Sequence, residues 1–364
     1  MKLLLIPLLV GIIAYSSRFV YKVLIRFVKM SMKMKIIASV CVGVAIFAMC
    51  MFVGGIFLAI VAHMLMLFLV ADIILLIFKV PCCQKFDPSA FKHFDKIFSV
   101  GLLILAILMS VWGYFNATDI QATKYSVSFE DKVYEDTRVM FVSDIHANDS
   151  NIKRITEAIS ETYRIEKPNV IIVGGDLTDS STSWQNAKEI SAFFGSMTDE
   201  VPVIFVYGNH DIMGGDDFSS HELGNLLERN GITVLCDDVY EMNGICFVGR
   251  NEYYSQSGRG VRADIQSLVP GNGQNATVVI DHQPKDLEKL GSIGVDMSLS
   301  GHTHNGQIFP LGHICNLFGV NEMQYGMKRF GSNTAIVSSG VGTWGMNVRT
   351  QGVSEIVIVD ITKA

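Results

Sequence analysis

Between Ile36 and Val80 the chain carries only two charged side chains, Asp72 and Lys79. That run is twice the ~20 residues needed to cross the hydrocarbon of a bilayer, so a single soluble domain cannot absorb it. Its length predicts two spanning helices, with Gly54-Gly55 as the break between them. Two more apolar stretches flank it, "LLLIPLLVGIIAY" at 3–15 and "SVGLLILAILMSVWGYF" at 99–115. The second closes on Trp112, Tyr114 and Phe115, side chains suited to a membrane interface. The expectation is an all-α transmembrane module of about four helices within residues 1–115. His63 and Asp72 are ionisable groups inside the third span. They stand half a turn out of phase and are read as packing or interface positions rather than a transport pair.

Charge divides the chain at the same place. Residues 1–115 hold 11 Lys and Arg and 3 Asp and Glu, against 29 and 35 for the whole chain, so the front is about +8 and the remainder about −14. Arg18, Lys22, Arg26, Lys29 and Lys33 recur at steps of four, four, three and four, which on a helix makes one basic stripe. Residues 18–35 are therefore expected to form an interfacial helix on anionic headgroups. This segment and the net-positive loop 79–98 both belong on the cytoplasmic side. An even number of spans then puts everything after residue 116 on the external or periplasmic side of a multi-pass cell-membrane protein. The acidic remainder argues against binding a nucleic-acid polymer, whose phosphates it would repel. The seven cysteines show no CxxC spacing, which argues against a thiolate zinc site. Cys236 and Cys246 flank a predicted strand turn, where pairing is one option.

After a linker and first strand at 116–138, the pattern over 139–364 changes to short β-branched runs that each end in a polar cluster. "RVMFVSDIH" runs into Asp144 and His146, "NVIIVGGDLTD" into Asp176 and Asp179, and "PVIFVYGNHD" into Asn209, His210 and Asp211. "TVVIDHQP" runs into His282, and "DMSLSGHTH" into His302 and His304. Between them, "NIKRITEAISETYRIEK" and "WQNAKEISAFFGSM" have helical periodicity. Strand, polar loop and helix in alternation make an α/β fold with its chemistry at the carboxyl ends of strands. Each cluster alone is a common turn or cap. Together they offer carboxylate, amide and imidazole donors in a mixture suited to Mn, Fe or Zn, and too many for one tetrahedral ion. Two divalent metal ions sharing a bridging carboxylate is the economical arrangement.

In "SDIH", "GGDLTD", "GNHD", "DHQP" and "GHTHNGQ" the chain resembles the calcineurin-like metallophosphoesterase superfamily, and within it the membrane-anchored bacterial branch. The resemblance implies a four-layer α/β/β/α sandwich over about 125–364. It also implies a ligand set: Asp144, His146 and His304 for one ion, Asn209, His282 and His302 for the other, and Asp176 bridging both. His210 would act on the phosphoryl group or leaving oxygen, with Asp211 holding its imidazole. His313 matches no ligand position. The implied activity is hydrolysis of a phosphodiester or pyrophosphate by a metal-activated hydroxide, with a lipid-linked or nucleotide-lipid headgroup as one substrate and membrane lipids as partners. A phosphomonoesterase with the same metals is the alternative, as is a metal-binding membrane scaffold or receptor without turnover. Arg250, Tyr253, Tyr254, Arg259 and Arg262 mark a loop that would either cover the metals or lie on the surface. Trp344 and Met346 sit in "GTWGMN", as lipid contacts or as core.

Overall fold

The computed structural model describes residues 31–41, 55–78, 88–129, 132–213, 217–252, 262–270 and 274–363. The chain divides into two compact units, Met1–Tyr114 with Gly345–Val348, and Phe115–Trp344 with Arg349–Ala364.

In the first unit helix α1 covers 32–41, α2 Gly55–Phe78, and α3 begins at Pro88 and runs to Thr118. Within α3, Val100–Thr118 is long and apolar enough to cross a membrane, whereas the apolar part of α2, Leu58–Ala71, is shorter. The predicted span 3–15, and most of the basic stripe and of the second span, lie outside the described residues. His63 is buried in α2, with Nδ1 at 2.8 Å from the Ala59 carbonyl oxygen and 3.0 Å from Ser110 Oγ of α3. A polar side chain bonded across two apolar helices is a packing device, as its isolated position in the sequence suggests.

The second unit begins with β1 (Ile120–Ser128), β2 (Thr137–Val142), α4 (Ile152–Glu166), β3 (Val170–Val173) and α5 (Trp184–Gly195). Next come β4 (Val203–Val206), α6 (Asn209–Met213), α7 (Ser220–Arg229), β5 (Thr233–Leu235), β6 (Asp238–Met242) and β7 (Ile245–Gly249). The last elements are β8 (Ala276–Ile280), α8 (Leu287–Ser292), β9 (Met297–Ser300), α9 (Leu311–Leu317), β10 (Gly326–Phe330), β11 (Asn333–Val337) and β12 (Ser354–Thr362). They build two mixed six-stranded sheets, ordered β1-β12-β2-β3-β4-β5 and β10-β11-β9-β8-β7-β6.

Central strands are apolar at every position because both their faces are covered. In β2, Val139 and Phe141 turn toward the other sheet and pack with Phe247, Val278 and Leu299. Met140 and Val142 turn outward and pack with Ile155 and Ile159 of α4, Phe194 of α5 and Leu227 of α7. On the far face of the second sheet, Val248 and Val279 meet Leu287 and Leu290 of α8. The result is helix, sheet, sheet, helix. Helix starts follow their caps: Ser183 accepts from the Asn186 amide at α5, and Ser219 with Glu222 forms a capping box at α7. No disulfide joins Cys236 and Cys246.

Candidate metal centre

Strands β2, β3 and β4 are mutually parallel, as are β7, β8 and β9, so their carboxyl ends collect at edges of the two sheets. The residues just past those ends form two groups whose ligand atoms lie within 4.8 Å of one another: Asp144, His146 and His304, and Asp176, His282 and His302. Asp176 reaches into both, with Oδ2 at 3.1 Å from His282 Nε2 and 3.8 Å from His146 Nε2. His304 Nε2 stands 3.2 Å from His146 Nε2 and 3.3 Å from Asp144 Oδ1. Asn209 is buried, and its Oδ1 has no hydrogen-bond partner among the described residues. The seven sequence-predicted ligands are thus all found past strand ends, six of them within the two groups.

The backbone is bent to aim these side chains. Asp144, His146, Asp176, His302 and His304 all have positive φ, between 46° and 70°. For residues with a Cβ the left-handed region costs about 1 kcal/mol or more each, and such strain concentrates at functional sites. Hydrogen bonds hold the result. Ser143 Oγ donates to Asp144 Oδ2 at 2.7 Å, the His302 amide donates to both Asp144 oxygens, and the His210 amide donates to Asp176 Oδ1 at 2.8 Å. Gly208 is required by proximity, since a Cβ there would collide with the Asp176 carboxylate.

His282 Nδ1 lies 2.8 Å from the Gly174 carbonyl and must donate to it. That fixes the tautomer and turns a lone pair at Nε2 toward Asp176. A lone pair facing a carboxylate oxygen repels it unless a cation or proton intervenes. The protonation tendencies have the same origin. Burial works against charge on His282 and His146, but carboxylates override it and raise both: Asp176 first for His282, and Asp179 first for His146. Burial then keeps the neighbours neutral, with His302 lowered to about 4 and His304 well below its ordinary value, each also repelled by the charged imidazole beside it. In both groups the carboxylates favour positive charge at the imidazoles between them. Buried lone pairs, an unpartnered amide oxygen and clustered carboxylates fit two divalent cations.

Three further residues shape the centre without having been assigned a role there from the sequence. Asp179 Oδ2 stands 3.2 Å from His146 Nδ1 and orients that ring from behind. Its carboxyl is held down at about 2: burial would raise it, and hydrogen bonds from His146 and Ser181 overcome that. Arg349 is fully buried and donates to the carbonyls of His304, Ser339 and Gly342 at 3.0, 2.9 and 2.6 Å, bracing the turn that carries His304. Trp344 is 55% exposed, with its ring 5.7 Å from that of His210, and its backbone is tied to the Gln307 side chain. Asp179 had a cue, as the second carboxylate of "GDLTD", and Trp344 stood out in "GTWGMN" as a lipid contact or core residue, whereas Arg349 had none.

Asp211 departs from expectation. Rather than holding the His210 imidazole, its carboxylate turns into the loop and accepts from the amides of Gly208 and Thr178, both at 2.8 Å, and from Thr178 Oγ1 at 2.9 Å. The local geometry explains this: Asp211 lies in the first turn of α6, where its side chain folds back onto free amides. Burial, with the nearby Asp176 charge, pushes its carboxyl up to about 6. His210 is half-buried, its ring edge-on to His146 at 5.2 Å, and burial lowers its pKa. Arg250 pairs with Asp237 and Arg262 with Asp281, so both are engaged within the domain; residues 253–261, with Tyr253, Tyr254 and Arg259, lie outside the described residues. His313 is in neither ligand group and sits on α9 with its ring 5.8 Å from Phe309.

Residues 137–306 match the calcineurin-like phosphoesterase family. An uncharacterized metallophosphoesterase of Helicobacter pylori is 27% identical over 75% of this chain and 73% of its own. A Danio rerio transmembrane protein with metallophosphoesterase domain is 27% identical over 73% of this chain and 63% of its own. Among solved structures, a dimetal phosphatase from Danio rerio is 13% identical over 56% of this chain and 87% of that one, with a TM-score of 0.37.

Proposed function

Because residues 137–306 are a calcineurin-like phosphoesterase domain, we propose that the chain is a membrane-anchored, dinuclear phosphoesterase preferring a phosphodiester or pyrophosphate. The observation that carries this is the pair of ligand groups meeting at Asp176. Divalent cations bound there (Mn, Fe or Zn) would supply Lewis acidity that lowers the pKa of a water and neutralises charge on the phosphoryl oxygens. Asp144, His146 and His304 would hold one, Asn209, His282 and His302 the other, and Asp176 both. His210 offers a ring nitrogen at the mouth of the centre, placed by the bond from its own amide to Asp176. Its lowered pKa makes it a neutral N–H donor to the phosphoryl or leaving oxygen at pH 7. The exposed Trp344 ring beside it gives the second organic arm of a diester something to lie against.

Membrane attachment is supported by the apolar Val100–Thr118 and by the similarity to the Danio rerio transmembrane protein. The proposal extends to a multi-pass anchor of about four helices, an external catalytic domain and a lipid-linked phosphate as substrate. The test is hydrolysis of bis(p-nitrophenyl) phosphate and p-nitrophenyl phosphate by the full chain. EDTA is expected to abolish turnover and Mn²⁺ to restore it, with the diester faster. Full activity after exhaustive metal removal sinks the dinuclear reading, and a faster monoester reverses the substrate preference.

A further inference from the structure

Helix α9 inverts the usual arrangement in which a surface helix buries its apolar side. Leu311, Ile314, Leu317 and Phe318 are all exposed, the last two at 79% and 76%. On a 3.6-residue turn these four share an arc of about 120°. Val320 continues the patch. The opposite side holds the helix in place. Gly312 is buried, its amide donates to Gln351 Oε1 at 3.1 Å, and it approaches Gly306 so closely that neither position has room for a side chain. The apolar arc is therefore presented outward on a fixed base, as docking surfaces are.

What covers it is indicated by the segment that forms the base. Asn116, near the end of the membrane-crossing stretch, donates to the carbonyls of Arg349 at 2.9 Å and Gly352 at 2.8 Å. The Phe309 amide donates to Thr350 Oγ1 at 3.1 Å, and Gln351 holds Gly312. Residues 349–352 thus fasten the end of the span and the root of α9 to one place. Within the second unit, α9 is thus rooted next to Asn116, where that unit follows on from the candidate span. Beside the polar side of α9, His313 and Asn316 line a cavity of about 450 Å³ together with Asn305, Glu322 and Lys328.

We propose that α9 is a lipid-contacting helix, seating its outward arc at the headgroup–acyl boundary of the bilayer that holds Val100–Thr118. The inference rests on the membrane reading of that stretch. It adds a consequence for the metal centre, because the turn His304–Gly306 packs directly on Gly312. A phosphate carried by a lipid headgroup would then meet the site without leaving its leaflet.

The test places the photo-reactive residue p-benzoylphenylalanine at Phe318 in the full chain, reconstituted in phosphatidylglycerol–phosphatidylcholine vesicles. Leu108, exposed within the candidate span, and Tyr134, exposed next to the turn between β6 and β7, are substituted in parallel. After irradiation, mass spectrometry is expected to find lipid adducts at positions 318 and 108 and none at 134. Adducts at 318 only with residues 1–54, with a second copy of the chain, or with no lipid at all overturn the docking helix while the lipid adduct at 108 preserves the anchor. Absence of lipid at 108 as well overturns the anchor and the docking helix together.

Discussion

At the scale of single residues, the site depends on buried carboxylates held in good part by backbone amides. Asp211 is the clearest case. Removing its carboxylate in Asp211→Ala leaves the Gly208 and Thr178 amides buried and unsatisfied, at about 1–3 kcal/mol each. Thermal denaturation is expected to show a several-degree fall in Tm for Asp211→Ala. An unchanged Tm with a large loss of turnover would instead return Asp211 to a role on His210. By contrast, His210→Ala removes a half-buried ring and is expected to keep its metal content while turnover drops by ~10²-fold or more. Asp176→Asn weakens both ligand groups at once, so mass-spectrometric metal analysis is expected to find both ions reduced. Residue identity was legible at these positions because each ligand type is tied to a short motif. Orientation was not: nothing in "GNHD" says that Asp211 looks inward, and nothing in "SDIH" says that Asp144 and His146 take positive φ. Those outcomes are set by which amides lie free once the strands have packed.

At the scale of elements, the strands that end in a motif were readable because each is a short β-branched run bounded by polar residues. Both helical segments also correspond to real helices, α4 and α5. Pairing was hidden. Strand β12 inserts between β1 and β2, and the bond from Asn116 to Gly352 spans 236 residues, a relation no local pattern encodes. Arg349 was equally silent, since an arginine between a valine and a threonine gives no sign of complete burial. Cys246 in β7 illustrates a testable effect of such burial. Desolvation, with Glu241 nearby, raises its thiol to about 11. A folded pKa above the unfolded value of about 9 leaves the linked stability whole below pH 9 and removes it as pH climbs toward 11. Denaturant titrations are expected to show that decline in the native sequence and a smaller one in Cys246→Ala.

At the scale of the whole molecule, charge asymmetry and apolar runs divide the sequence at residue 115, and contacts divide the chain between Tyr114 and Phe115. The proposed external placement of the second unit rests on the basic loops of the sequence alone. Alkaline phosphatase joined after Ala364 is expected to be active, as an external enzyme would be; activity only in a cytoplasmic reporter would reverse the orientation. The placement of β12 has a further effect, on when the protein becomes competent. Its nine residues fill the gap between β1 and β2, so a ribosome still translating anything before Ser354 holds a sheet split in two. Every residue proposed to bind metal has by then been made, yet the brace at Arg349 and the strand that closes the sheet follow after the last of them. Assembly of the centre is thereby deferred until the chain has been made through β12, and a truncated translation product carries the full set of motifs with no chamber to put them in.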